Sequence, residues 1–226
     1  MIPMHKRVKI KDEIKKWVKR NFKRLKEIEL SDLRPNPFLL RALGIREDTV
    51  KAYEFSIRER IERGLVTSFG SSLLPNILSI LGFKKANIED IDHVFTKGGT
   101  NYYIQLKSGP EGFTRPALRK TKQTFDKIKE SDPMCKAVIA MAYGDEKLLS
   151  PVWGDEAKES ADLLLIGKNF WNFFFGEGTY EELLSIFEEA GKEAMLEEIG
   201  KEKSLYTVLV ETLMQKVVKS LKFKES

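Results

Sequence analysis

Between Asp90 and Lys107 the apolar residues stop recurring every three or four positions and begin to alternate with polar ones, on both sides of a Gly98-Gly99 pair. Alternation is the signature of a strand with one packed face, and paired glycines accept the positive φ angles of a two-residue hairpin. Strands are therefore expected over residues 90–95 and 101–107, joined by Thr96-Lys-Gly-Gly-Thr100. Residues 136–143 (Lys-Ala-Val-Ile-Ala-Met-Ala-Tyr) form a nearly continuous apolar run, as a strand covered on both faces requires, and residues 162–166 repeat it more briefly. A sheet buried in this way needs helices to cover it.

The flanking segments supply them. Ile14, Trp17, Val18, Phe22, Leu25 and Ile28 recur at helical spacing over residues 12–28, giving an amphipathic helix with a cationic back whose apolar stripe must dock on something. Arg34-Pro-Asn-Pro-Phe38 reads as a turn. Helices are expected over residues 47–62, stopping near Gly64, and 67–82, with Gly82 at the end and a kink or restart at Pro75. A basic helix over residues 115–129 follows Gly109-Pro110, another helix begins at residues 170–175, and two more, separated near Gly200, complete the chain. The fold class that results is α/β, a mixed central sheet flanked by helices, with N- and C-terminal helical additions. At 226 residues and 42% hydrophobic composition the chain can bury one substantial core. One domain over 1–226 is expected, with a helical arm at 1–64, an α/β core at 65–175 and C-terminal helices at 176–226.

One cysteine, Cys135, and two histidines exclude a disulfide framework within the chain and make a cysteine- or histidine-built zinc site improbable, leaving carboxylates, amides, hydroxyls and lysines for any chemistry. The longest apolar stretches, such as residues 163–166 and 170–175, fall short of a bilayer span, and the charged N-terminus lacks the pattern of a secretory signal, so a cytoplasmic protein is expected. The net charge of +5 hides an asymmetry. Residues 6–26 carry eleven basic side chains against two acidic ones, and residues 107–129 carry seven against two, whereas residues 177–202 carry nine glutamates against two lysines. Locally concentrated cations suit a polyphosphate, because each neutralised phosphate releases condensed counterions. The same runs also describe solvated helix faces, and the acidic segment reads as solvent-facing.

With Gly98 and Gly99 at the centre of the hairpin, Lys97 pairs with Thr100 and Asp92 falls opposite Gln105. Directly opposed residues project to the same side, and Lys107 shares that side with Gln105, so a carboxylate, an amide and an ammonium converge while Ile104 and Leu106 turn to apolar packing. On an inner sheet such groups incur a desolvation cost unless they meet each other, a metal or a ligand. A solvated hairpin face is the ordinary alternative.

Asn36-Pro-Phe-Leu-Leu-Arg41, Thr67-Ser-Phe-Gly70, Ile91-Asp92-His93-Val94, Ile104-Gln-Leu-Lys-Ser-Gly-Pro110 and Gly167-Lys-Asn-Phe-Trp171 together give the chain a resemblance to a known family. It resembles the PD-(D/E)XK nucleases and, within them, type II restriction endonucleases of the PmeII-like group, with Lys-Ser-Gly-Pro after the catalytic strand as the most specific piece. The resemblance implies an αβββαβ core and Mg²⁺-dependent hydrolysis of double-stranded DNA at a short palindrome, GG/CC-bearing in similar enzymes, leaving 5′-phosphate and 3′-hydroxyl ends. Mn²⁺ could substitute. Asp92 looks like the metal-binding aspartate and Lys107 like the closing lysine that positions water. Gln105 stands where the family usually has Asp or Glu, so the site has one negative charge fewer. The Leu106 carbonyl completes the implied metal ligands Asp92, Gln105 and Leu106. Glu54, Glu62 and Asp90 are candidates for a compensating carboxylate, and Ile91 replaces the motif's proline.

Ser108 and the basic helix bearing Arg115, Arg119, Lys120, Lys122 and Gln123 are the expected DNA contacts, since Arg matches phosphate and guanine and Gln matches adenine. Symmetric cutting implies a homodimer, for which the stripe of the first helix is one candidate interface, and a companion DNA methyltransferase that is not a stable subunit. Two other readings stand beside this one: a structure-specific repair or junction-resolving nuclease of the same superfamily, and an inactive DNA-binding module. His93, Cys135, Trp17 and the aromatic residues 170–175 read as packing.

Overall fold

The computed structural model describes residues 1–33, 36–46, 49–109, 113–149, 151–200 and 203–222. Five strands form one mixed sheet in the order β1 (Lys84–Ile88), β2 (Ile91–Lys97), β3 (Thr100–Lys107), β4 (Lys136–Met141), β5 (Leu163–Ile166). The first three are antiparallel; β3, β4 and β5 are parallel. The hairpin forms as the glycine pair predicts: Gly98 and Gly99 take φ of 57° and 82°, and the register runs from Lys97 opposite Thr100 to His93 opposite Ile104. The αβββαβ order of a restriction-endonuclease-like fold is therefore present, with helices before β1 and between β3 and β4.

The chain divides into two compact units, one comprising Met1–Lys11 and Leu74–Phe187 and the other Asp12–Leu73 and Glu188–Ser226. In the first unit α5 (Arg115–Ser131) opens on Thr114, whose hydroxyl caps the Ala117 N–H, and lays Leu118, Phe125 and Ile128 on the sheet face that carries Val94, Tyr103, Ile139 and Met141. The helix α6 (Pro151–Ser160) joins this layer through Ala157. The opposite face packs α7 (Lys168–Phe175): Phe83 meets Phe95 at 4.6 Å and Phe174 at 5.2 Å between ring centres. Each large side chain buried in these layers contributes about 1.5–3 kcal/mol. The aromatic residues after Gly167 are thus core, and His93 is buried beside Phe83, which pushes its pKa down. Burial likewise pushes the Cys135 thiol up.

In the second unit α1 (Met4–Lys26) presents Phe22 and Leu25 to Ile57 and Ile61 of α3 (Val50–Ser68) and to Leu213 and Val217 of α9 (Leu205–Lys222). The stripe of the first helix is covered by its own chain, which corrects the expectation that it serves as a dimer interface. A π-helical turn, Phe69–Leu73, follows α3. Gly64 does not stop α3: a Cβ there would lie 3.3 Å from Leu25, so the glycine permits α1 and α3 to approach. The acidic helix α8 (Thr179–Ile199) is also not simply solvated, since Lys15 meets Glu193 at 3.2 Å and Glu197 at 2.5 Å, and Lys19 meets Glu197 at 2.5 Å.

Other boundaries differ from expectation. Arg34, Pro35 and Glu47 lie outside the described residues, but Asn36 caps a short helix, α2 (Pro37–Ala42), where a turn was expected. Pro75 is the second residue of α4 (Leu74–Leu81), which continues directly from the π-helical turn. The run Val50–Leu81 contains a window of mean hydropathy 1.4, long and apolar enough by those measures to cross a membrane, although its first half carries Glu54, Arg58, Glu59, Arg60, Glu62 and Arg63.

Candidate active site

One step beyond the His93–Ile104 pair, the register sets Asp92 opposite Gln105. Oδ2 of Asp92 accepts the Leu106 N–H at 2.8 Å. The Gln105 amide, in a residue only 8% exposed, lies against the same Oδ2 and against the Asp90 carbonyl. With its NH₂ turned toward them it donates to both, at 3.2 Å to Asp92. Rotated by half a turn, it sets three oxygens side by side, an arrangement that a cation makes favourable. The structure therefore brings Asp92, Gln105 and Leu106 together. The Asp92 carboxylate and the Gln105 amide oxygen are hard donors, as a divalent cation such as Mg²⁺ prefers, whereas Leu106 meets Asp92 through its N–H, and among the described residues no three Asp, Glu, His or Cys side chains gather in a metal-binding group.

Asp90 is the nearest further carboxylate in sequence. It is a non-glycine residue at φ 62°, and its buried Oδ2 faces the Lys120 ammonium 3.2 Å away. Glu54 is held by Arg58 at 2.7 Å, and both it and Glu62 belong to the second unit.

Lys107 follows Gln105 on the same face of β3, and its ammonium rests 5.5 Å from the centre of the Phe113 ring. A cation over an aromatic face is attracted by the ring quadrupole. Asp92 and Lys107 meet different partners, the Leu106 N–H and the Phe113 ring. Phe113 escaped the sequence reading because it is a single apolar residue after a polar loop; Pro110 and Glu111, part of that reading, lie outside the described residues.

The helix α5 stands beside the site with Arg115, Arg119 and Lys120 already engaged. Arg115 and Arg119 both reach Glu156 on α6, at 3.2 and 3.5 Å, and Lys120 reaches Glu89 at 2.7 Å as well as Asp90. Glu89 and Asp90 raise the Lys120 pKa through those hydrogen bonds. Lys122 and Gln123 are exposed on the same helix.

Residues 5–195 match a family described as Type II restriction endonuclease EcoO109I. The chain belongs to the EcoO109I family of type II restriction endonucleases. It is accordingly a DNA-cleaving hydrolase, and type II restriction endonucleases generally require a divalent metal. A comparison with curated proteins returns no significant match.

In this endonuclease the loops after β3, β4 and β5 leave the sheet at the end where Lys107, Met141 and Ile166 stand in register. In open sheets that end is where ligands bind. The carbonyl of Ser108 accepts the Tyr143 N–H at 3.1 Å, and Gly109 lies so close to the Tyr143 ring that a Cβ would come within 2.4 Å of it. Gly167, at φ 50°, passes the Gly144 carbonyl so closely that a Cβ would lie 2.3 Å from it. These contacts explain the two glycines by close packing, Gly109 against a side-chain ring and Gly167 against backbone. The residues that sequence reasoning missed, Phe113, Glu156, Glu89 and Tyr143, come from other elements and act by contact, which spacing along one strand does not reveal.

Proposed function

We propose that this restriction endonuclease is a PD-(D/E)XK enzyme of the PmeII-like group, in which Asp92, the Gln105 amide oxygen and the Leu106 carbonyl hold Mg²⁺, with Mn²⁺ as a substitute. The observation that carries the reading is the meeting of Asp92 Oδ2, the Gln105 amide and the Leu106 backbone beside Lys107. When bound, the metal polarises the phosphoryl group and supports charge on the leaving oxygen. The chain's own residues supply the rest. Asp92 keeps its carboxylate aimed by the Leu106 N–H, and Lys107, steered by Phe113, orients the attacking water and stabilises the charge that builds on the phosphate. In-line attack then leaves 5′-phosphate and 3′-hydroxyl ends.

The DNA contacts of this reading are Ser108, Arg115, Arg119, Lys120, Lys122 and Gln123, with Lys122 and Gln123 exposed at the outset. A homodimer cutting a short GG/CC-bearing palindrome, a single nuclease domain built from both compact units, a methyltransferase companion in the same system and a cytoplasmic location belong to the same proposal. Digestion of a long natural DNA with Mg²⁺ tests it: discrete fragments, lost in Lys107→Ala, support it. A smear favours a repair-type nuclease, and no cleavage with Mg²⁺ or Mn²⁺ favours the inactive binding module that Gln105 keeps in view.

A further inference from the structure

The second unit contains a cleft of about 520 Å³ between α1 and α3 that the catalytic reading does not use. Its cations are all arginines, Arg24 from α1 and Arg60 and Arg63 from α3, and they share the walls with the hydroxyls of Thr67 and Ser71. Guanidinium forks are side-chain chemistry of phosphodiester recognition, because a planar fork matches two phosphate oxygens; the Ser71 hydroxyl already donates to the Thr67 carbonyl at 2.8 Å.

Arg24 is fixed in place by neutral acceptors. Its guanidinium donates to Asn21 Oδ1 at 2.9 Å and to the Gly64 carbonyl at 3.3 Å, so its charge is aimed without being cancelled. Next along α1, Arg20 is likewise held by a neutral oxygen, Ser72 Oγ at 3.1 Å. Arg63 is paired with Glu59, and Glu27 and Asp32 also line the cleft. Ser71 and Ser72 lie in the π-helical turn that follows Thr67-Ser-Phe-Gly70, and such turns are frequent at functional sites.

We infer that this arginine and hydroxyl cleft binds the phosphodiester backbone of double-stranded DNA, as a contact separate from the catalytic strands. The inference rests on the nuclease reading for its ligand and concerns residues to which that reading gives no role. Arg24 and Arg60 would each neutralise a phosphate, adding affinity that does not depend on base sequence.

The test compares the full-length protein with Arg24→Gln/Arg60→Gln, measuring affinity for a fluorescent duplex with Ca²⁺ in place of Mg²⁺ over about 50 to 200 mM salt. The slope of log affinity against log salt should become shallower by about 2, and affinity should fall roughly tenfold. An unchanged slope, or a parent protein without salt-dependent affinity for DNA, overturns the inference. Thermal protection by inorganic phosphate that requires these arginines, with duplex affinity unaltered, also overturns it and makes the cleft a small-anion site. Failure of the nuclease reading shows separately, as absence of cleavage by the parent in Mg²⁺ or Mn²⁺. If the double variant does not fold, Arg60→Gln alone, on the exposed side of α3, should lower the slope by about 1, and no change there has the same overturning force.

Discussion

The Leu106 N–H donates to Oδ2 of Asp92 at 2.8 Å, so the backbone of one strand aims the carboxylate of its neighbour. Asp92→Asn keeps an acceptor at that position and removes the charge. It should leave the thermal midpoint within a few degrees of the parent's and lower cleavage by at least about 100-fold. Asp92→Ala strands the Leu106 N–H and should in addition cost about 1–3 kcal/mol of stability, read from denaturant unfolding.

In the proposed metal site Gln105 would set how strongly a cation is held. Gln105→Glu restores the missing charge and should raise Mn²⁺ affinity about tenfold in a direct titration. Without metal it should lower stability, because a second carboxylate then faces Asp92 and the Asp90 carbonyl in a buried setting. Weaker ion binding by the variant would contradict the proposed ligand set.

Glu156 restrains two cations at once. Glu156→Gln releases Arg115 and Arg119, and duplex affinity at low salt should rise severalfold with a steeper salt dependence. Unchanged affinity would show that these arginines do not touch DNA.

Acid should loosen the second unit through Glu197. Hydrogen bonds from Lys15 and then Lys19 hold its pKa near about 2, below the ordinary 4.5. A carboxylate with a depressed folded-state pKa contributes stability that is whole above its unfolded value and disappears as pH falls from about 4.5 toward 2. Thermal midpoints measured across that window should fall less steeply in Glu197→Gln than in the parent.

Much of this architecture was legible because it rests on local rules. The Gly98-Gly99 pair set the hairpin register, and with it the opposition of Asp92 and Gln105, before any coordinates were needed. The edge strand β1 was not legible: its opening lysines, Lys84 and Lys85, blunt an exposed edge and erase the alternation that marks a strand. The helix α6 escaped because Pro-Val-Trp-Gly-Asp has too little periodicity to announce one. Gly64 was read as a stop although its role is to let α1 close on α3, a demand that comes from a partner distant in sequence.

Gly167 offers a test of the loop end of the sheet. Gly167→Ala adds a Cβ 2.3 Å from the Gly144 carbonyl, at a positive φ. It should cost about 2–4 kcal/mol, read as a thermal midpoint lower by roughly 5–15 °C.

The carboxylates of Glu156, Glu89 and Asp90 sit on the cations of α5 as ions tethered to the chain itself. In the proposed complex DNA would take those cations, and what left would be a fixed side chain rather than a freely diffusing anion, so little mixing entropy would be gained on the protein side. Random sequence would then be gripped loosely, with tight residence reserved for sites whose base contacts make up the difference.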